Sequence, residues 1–370
     1  MASVLSVNAG SSSLKFALFE AGDPPRRLLS GQIERIGTAG GPADHASCVD
    51  AVLERVRQSG ETVGSVGHRI VHGGPRYLES SKITSEVLAE LRRISPFDPE
   101  HLPAEIALIE AFTRRFPDVP QVACFDTAFH RDLPLVSRLL AIPRKYEAAG
   151  VRRYGFHGLS YAYLVGRLRK EPGGLPRRLV LAHLGNGSSL AAVREGRSVD
   201  TTMGFTPTAG VPMSRRSGDL DPGLVAYFAR TERMTPEQFH EMVNTKSGLL
   251  GISETSSDVR DLLERERTDA RAADALAVFS YRVRQTIGAF AASLGGLDAL
   301  VFAGGIGEHS ATMRARILDG LEFLGLRLDA ERNEANADVI SRPDSAVTAR
   351  VIPTDEESEI ARSTVEVLKT

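Results

Sequence analysis

Three glycine-rich runs could each hold a phosphate. The first is Asn8-Ala9-Gly10-Ser11-Ser12-Ser13, followed at once by Leu14 and Lys15. Glycine lets backbone N–H groups close on an anion, while serine hydroxyls and a lysine add donors and charge. This run occurs twice in related form. Sliding the chain along itself places Val4-Leu5-Ser6 on Val180-Leu181-Ala182 and Ser12-Ser13-Leu14 on Ser188-Ser189-Leu190, with His183-Leu184-Gly185-Asn186-Gly187-Ser188-Ser189 at the second turn. The third run, Gly304-Gly305-Ile306-Gly307-Glu308, precedes Ser310, which can cap a helix through Met313, Ile317 and Leu321. That puts the run at a helix amino end, a favourable place for phosphate. A single Gly/Ser turn is more often an ordinary hairpin, but two related ones predict two related domains.

Strands must present these turns. Val4, Leu5 and Val7 lead into the first, and Leu14, Phe16 and Leu18 alternate with Lys15, Ala17 and Phe19 after it, which predicts a β-hairpin. Leu179 to Val193 repeats the pattern. Val63 to Val71, containing Gly67-His68-Arg69, reads as a strand closed by His72-Gly73-Gly74-Pro75. Val119 to Phe125 ends on Asp126-Thr127-Ala128-Phe129-His130, and Ala299 to Ala303 ends on the third glycine run. Apolar strands that pass directly into polar residues typify open α/β sheets, where ligands bind beyond the carboxyl ends of the strands. The ends after Val7, Phe125, His183 and Ala303 are therefore expected to face one cleft. Helices are expected where Thr84 can cap Val87, Leu88, Leu91 and Ile94, and where Pro103 precedes Ile106, Ile109 and Phe112. Leu276, Phe279, Val283, Ile287, Phe290 and Leu294 form a stripe that reads as core. A last helix carries Ile360, Val365 and Leu368.

Composition bounds the partners. At 370 residues the chain exceeds one compact core, so two domains are expected. Its 42% hydrophobic and 25% charged residues are those of a globular protein. A net charge of −2 leaves no electrostatic footprint for nucleic acid or an anionic membrane. The amino terminus lacks the pattern of a signal peptide, and the most apolar stretch, Gly288 to Gly307, is broken by Asp298 and by glycines. Two cysteines, Cys48 and Cys124, without metal-ligand spacing fit a reducing compartment. A cytoplasmic protein is expected.

In combination these motifs resemble the acetate kinases of the actin, sugar-kinase and heat-shock-chaperone superfamily. The resemblance rests on Asn8 to Lys15, Gly67-His68-Arg69-Ile70-Val71-His72-Gly73-Gly74, Phe125 to His130 and Tyr154-Gly155-Phe156-His157-Gly158. It continues through His183 to Gly187, Met203-Gly204-Phe205-Thr206-Pro207, Arg216-Ser217-Gly218-Asp219-Leu220-Asp221-Pro222, Gly304 to Glu308 and Pro353-Thr354-Asp355-Glu356-Glu357. These stand in the family's order along nearly the whole chain. The resemblance implies an α/β fold of two duplicated, ribonuclease-H-like (actin-like ATPase) domains with an interdomain cleft. The expected ranges are 1–127 plus 356–370 for the first and 128–355 for the second. It also implies reversible phosphoryl transfer from ATP to acetate, giving acetyl phosphate and ADP, in a homodimer.

The roles implied by the match follow. Phosphoryl transfer needs positioning and neutralised charge, so the matched Arg69, Arg216 and His157 are expected to stabilise the transferring group. Asp126 matches a catalytic aspartate. An acetate nucleophile is already ionised and needs no general base, so Asp126 is expected to orient an arginine or a metal-bound water. Asn8 and Glu356 match the positions for Mg2+, for which Mn2+ could substitute. Lys15, His183, Leu184, Gly185, Asn186, Gly187, Gly304, Gly305, Ile306, Gly307 and Glu308 match the nucleotide loops, together with Asp258-Val259-Arg260. Thr255 and Asp258 also have capping-box spacing, so Asp258 could equally be a cap. Val71, Phe97, Phe156 and Pro207 are expected to hold the acyl group.

Two departures bear on specificity. The family usually has Ala-Pro-Leu-His-Asn-Pro where this chain has Ser95-Pro96-Phe97-Asp98-Pro99-Glu100, and Met-Gly-Thr-Arg where it has Met213-Ser214-Arg215-Arg216. Propionate or another short-chain fatty acid is the nearest alternative acceptor. An actin- or chaperone-type ATPase is the competing class; it would not need Arg69, His157 and Arg216, and a chaperone would need a client-binding domain for which the tail after Glu357 is too short.

Overall fold

The computed structural model describes residues 3–10, 13–38 and 40–369. Ser11 and Ser12, at the first glycine/serine turn, lie outside the described residues. The chain forms two compact units, Met1–Arg131 with Phe156–Gly166 and Asp355–Thr370, and Asp132–Gly155 with Arg167–Thr354.

The first unit is built on six strands: β1 (Ser3–Ala9), β2 (Ser13–Glu20), β3 (Arg26–Glu34), β4 (Ser65–Ile70), β5 (Ser81–Lys82) and β6 (Gln121–Phe125), in the order β3-β2-β1-β4-β6-β5. β1 and β2 form the expected antiparallel hairpin, with Asn8 opposite Lys15, while β4 pairs parallel to β1 and β6 parallel to β4. Successive side chains on a strand point to opposite faces, and both faces of β1 are covered. Leu5 and Val7 pack with Val52, Val56 and Phe112 from the helices Val49–Gln58 and Leu102–Arg115. Val4 turns the other way, toward Ala361 and Val365 of the helix Glu356–Lys369.

Thr84 accepts from the Val87 N–H and caps the helix Ser85–Ile94, and Pro103 sits in the first turn of Leu102–Arg115, as the spacing predicts. Phe156–Gly166 falls within the range 128–355 of the second expected domain, yet it packs in the first unit. Leu159 joins Val122, Cys124 and Ile360 in one apolar cluster, and the buried Tyr161 ring lies against Phe129 and His130. Apolar burial, rather than chain order, sets this membership.

The second unit carries β7 (Arg178–Leu184), β8 (Ser188–Arg194), β9 (Arg197–Thr201), β10 (Ala299–Ala303) and β11 (Thr348–Val351), in the order β11-β10-β7-β8-β9. Read from β9, this repeats the order β3-β2-β1-β4-β6. β7 and β8 form the second antiparallel hairpin, and β10 and β11 add in parallel. The sequence repeat is thus a repeat of sheet topology. The helix Ala270–Leu294 is the core helix its stripe predicts, with Leu276, Phe279, Val283 and Ile287 fully buried. It closes on Gly295 in the left-handed conformation, a common helix terminator. No described helix is long and apolar enough to cross a membrane.

Candidate active site

In the first unit, the carboxyl ends of β1, β4 and β6 and the start of the helix Glu356–Lys369 converge on one arginine. Arg69 donates from Nε (3.0 Å) and Nη2 (2.6 Å) to Asp126 Oδ2, and from Nη1 to the Ala9 carbonyl at 3.0 Å. Asn8 donates from Nδ2 to Glu356 Oε2 at 2.9 Å and to Glu357 Oε1 at 3.1 Å. Asp126 is fully buried, while the Arg69 side chain retains 14% exposure, so the arginine is held by a buried carboxylate yet keeps some contact with solvent. Burial alone would lower the Arg69 pKa, but Asp126 and Glu356 beside it hold it above its ordinary value. The Glu356 carboxyl is raised, first by burial and then by the like charge of Asp126, against the pull of Arg69. Asp126 Oδ1 is buried and makes no hydrogen bond.

A second layer backs this group. Val71 is buried, and its backbone N–H points at Glu105, 3.2 Å from each carboxylate oxygen. The His72 ring accepts the Gly74 N–H on Nδ1 and meets Phe97 (5.7 Å) and Phe156 (5.6 Å) edge to face. Phe156 is held in turn by His130, whose Nε2 donates to its carbonyl at 3.1 Å. His157 follows with φ of 57°, a left-handed conformation uncommon outside glycine and enriched at functional sites. The next residue admits no side chain, because a Cβ on Gly158 would stand 2.0 Å from the Asp126 carbonyl oxygen. Val71, Phe97, Phe156, His157, Arg69 and Asp126, expected from separate motifs, thus share the first unit.

In the second unit the two other glycine runs touch. A Cβ on Gly185 would lie 3.7 Å from the Gly305 nitrogen, and one on Gly304 (φ 75°) would lie 2.7 Å from the Leu184 carbonyl oxygen. The Gly185–Gly187 turn closes on itself through Gly185 N–H to the Gly187 carbonyl, with Ser188 Oγ as a further acceptor. Ser214, one of the departures, donates its N–H to the Asn186 carbonyl and its hydroxyl to Asn186 Oδ1. Arg216 donates to the Pro207 carbonyl at 3.3 Å. His183 to Gly187, Gly304 to Gly307, Pro207 and Arg216 are therefore one neighbourhood.

Three of the matched segments also carry local contacts. Gly304–His309 is itself a short helix that begins after Ala303, and Ser310 caps the expected next helix, Ala311–Leu318, by accepting the Met313 N–H. Glu308 turns inward: its Oε1 accepts the N–H of Gly304 (2.8 Å) and of Thr354 (3.1 Å), so this carboxylate secures the loop. Asp258 caps the helix Val259–Arg265 through the Arg260 N–H and pairs with the exposed Arg260 side chain, while Val259 lies in the apolar core. Asp258 thus does cap a helix, and its match to a nucleotide-contacting segment stands beside that role.

The sequence analysis missed Glu105, His130 and Arg314. Arg314 is fully buried and donates to the carbonyls of Gly307 and Glu308 and to Asn333 and Asn336. Glu105 carried a legible signal, a charge on the same stripe as Leu102, Ile109 and Phe112. Arg314 carried none, because its partners come from a distant turn. A cavity of about 740 Å³ lies in the second unit, with Arg153, Asp200, Ser217, Lys246 and Arg282 among its lining residues.

Two topologically equivalent sheets with glycine turns at their strand ends, and a carboxylate-anchored arginine beside further carboxylates, define a phosphotransferase of the actin-like ATPase fold. A sequence model of the Acetokinase family matches residues 3–362. Acetate kinase of Bacillus cytotoxicus is 44% identical, covering 99% of this chain and 98% of the relative. Propionate kinase of Citrobacter rodentium is 43% identical over 98% and 96%. Among solved structures, Porphyromonas gingivalis acetate kinase (TM-score 0.90, 36% identity) covers all of both chains. A propionate kinase from Francisella tularensis (TM-score 0.92, 34% identity) covers 98% of this chain and 99% of its own. The chain belongs to the acetokinase family, kinases that phosphorylate a carboxylate acceptor.

Proposed function

We propose that the protein transfers the γ-phosphoryl group of ATP reversibly to acetate. An acetate oxygen attacks the γ-phosphorus in line, the bond to the β–γ bridging oxygen breaks, and ADP departs with that electron pair. No proton need move, because acetate is ionised at neutral pH. The observation that carries this reading is the Arg69 guanidinium, fixed by the buried Asp126 at the carboxyl ends of β4 and β6 with its side chain still partly exposed. Arg69, Arg216 and His157 stabilise the transferring group, and Asp126 orients Arg69. Lys15, the turns His183–Gly187 and Gly304–Glu308, and Asp258-Val259-Arg260 hold the nucleotide. Val71, Phe97, Phe156 and Pro207 enclose the acyl group.

Magnesium, or manganese in its place, suits Asn8 and Glu356. Among the described residues no group of three or more His, Cys, Asp or Glu could hold a metal alone. Mg2+ needs only one or two carboxylates beside water and phosphate oxygens, and the buried, unbonded Asp126 Oδ1 together with the crowded Glu356 carboxyl leaves the negative excess that a hard cation relieves. When bound it would neutralise phosphate charge. Propionate is the second reading, favoured by propionate kinases of nearly equal similarity.

We further assign a cytoplasmic location, supported by two buried free thiols. We also assign a homodimer, supported by the exposed Leu220, Val225, Tyr227 and Tyr281 of the second unit; sedimentation of the protein as a monomer would refute it. The test of function is trapping of acyl phosphate with hydroxylamine from acetate and MgATP, abolished by removing magnesium. ATP hydrolysis indifferent to acetate, with nothing trapped, overturns the proposal.

A further inference from the structure

Glu105 is a carboxylate within the apolar stripe of the helix Leu102–Arg115. It is 3% exposed, and the proposed phosphoryl transfer makes no use of it. Both its oxygens lie 3.2 Å from the Val71 N–H. β4 ends at Ile70, so Val71 has left the strand ladder, and Glu105 supplies the acceptor that a buried amide requires. The charged groups facing it from neighbouring elements are Arg69 near the end of β4, Asp98 after the turn Ser95–Phe97, and Asp126 after β6. Asp98 is itself paired with His101 at 2.8 Å. Arg69 is thus bonded to Asp126 and within electrostatic range of Glu105.

We propose that Glu105 is a positioning residue for the anionic acceptor: it fixes the Val71 amide, and its charge state sets how much of the Arg69 positive charge remains for the incoming carboxylate. The proposal rests on the reading that Arg69 and Val71 face the acceptor. With Glu105 protonated, Arg69 is compensated by Asp126 and Glu356. With Glu105 ionised, a third carboxylate acts on Arg69 and repels an acetate anion. Burial is the main reason its carboxyl is pushed up, to about 8, with Asp98 and Asp126 adding to it against Arg69 and the Val71 N–H. The switch therefore falls in a working pH range, where acetate itself does not titrate.

Steady-state kinetics between pH 6.5 and 9.5, with acetate varied at saturating MgATP and ADP release coupled to a reporter, test this. The expected result is an acetate KM that rises on the order of tenfold through about pH 8, while the KM for MgATP stays level. Glu105→Gln keeps an acceptor for Val71 without the charge, so its acetate KM should stay low and level at alkaline pH. Glu105→Ala should raise it at every pH, because the Val71 N–H loses its acceptor. A Glu105→Gln profile that rises as wild type does overturns the proposal. If that variant does not fold, the wild-type profile decides, and a level acetate KM overturns it. Wild-type protein that forms acyl phosphate with such a profile leaves the proposed function standing and removes this inference alone; wild type that forms none removes both.

Discussion

Asp126→Asn separates an orienting aspartate from a general base. Asp126 Oδ2 takes two donations from Arg69, at 3.0 and 2.6 Å. The amide keeps the shape and one acceptor oxygen but removes the charge. Charge-assisted hydrogen bonds contribute about 1.5–3 kcal/mol each and neutral ones about 0.5–1.5, so the two bonds together lose about 2–3 kcal/mol. At about 1.4 kcal/mol per decade this is a fall in turnover of roughly 30- to 150-fold. Arg69→Ala removes the guanidinium and should cost on the order of a hundredfold or more. If Asp126 acts only through Arg69, adding Asp126→Asn to Arg69→Ala should cost no more than about threefold further, because neighbours in one network are not additive. Acyl phosphate formation by wild type, both single variants and the double variant, with thermal melts to confirm folding, completes the cycle. Equal losses from Asp126→Asn in both backgrounds would refute the orienting role.

Gly158→Ala should destabilise the protein by about 1–3 kcal/mol and depress turnover, since its Cβ would sit 2.0 Å from the Asp126 carbonyl oxygen; an unchanged melting temperature contradicts this. Phe97→Ala should shift the propionate-to-acetate ratio of kcat/KM toward propionate by roughly tenfold, because the Phe97 ring stands against His72 beside Phe156 and one methylene in an apolar pocket is worth about 1–3 kcal/mol. An unchanged ratio places Phe97 outside the acyl pocket. Glu105 also affects stability. The unfolded carboxyl ionises near 4.5 and the folded one near 8, so between those values the folded state binds the extra proton and stability falls as pH rises, by up to about 1.4 kcal/mol per pH unit. Denaturant titrations at pH 5 and 8 should show this fall in wild type and a smaller one in Glu105→Gln.

Local pattern alone determined much of this protein. The two hairpins, the strand ends carrying Arg69 and Asp126, the Thr84 cap and the long core helix follow from residue alternation, capping chemistry and the 3.6-residue period, all of which act over a few residues. The repeated turn also predicted two related domains, and the two sheets do repeat one strand order. The ordered motifs made the family legible before any fold was seen.

What only the tertiary structure decided involves partners far apart in the chain. The sequence placed Glu308 in a nucleotide-loop match and left Asp258 open between a nucleotide contact and a cap; only the fold shows that Glu308 accepts the Thr354 N–H and that Asp258 caps its own helix. Phe156–Gly166 packs in the first unit because Leu159 and Tyr161 bury their apolar surface there. Nothing local marks Arg314 as different from a solvated arginine until Asn333 and Asn336 surround it. Glu105 is the intermediate case: its place on an apolar stripe was visible in the sequence, but its hold on Val71 and its nearness to Arg69 and Asp126 exist only once the helix has been laid against β4 and β6. Burial turns such residues from surface charges into fixed parts of a site, and burial is a property of the whole fold.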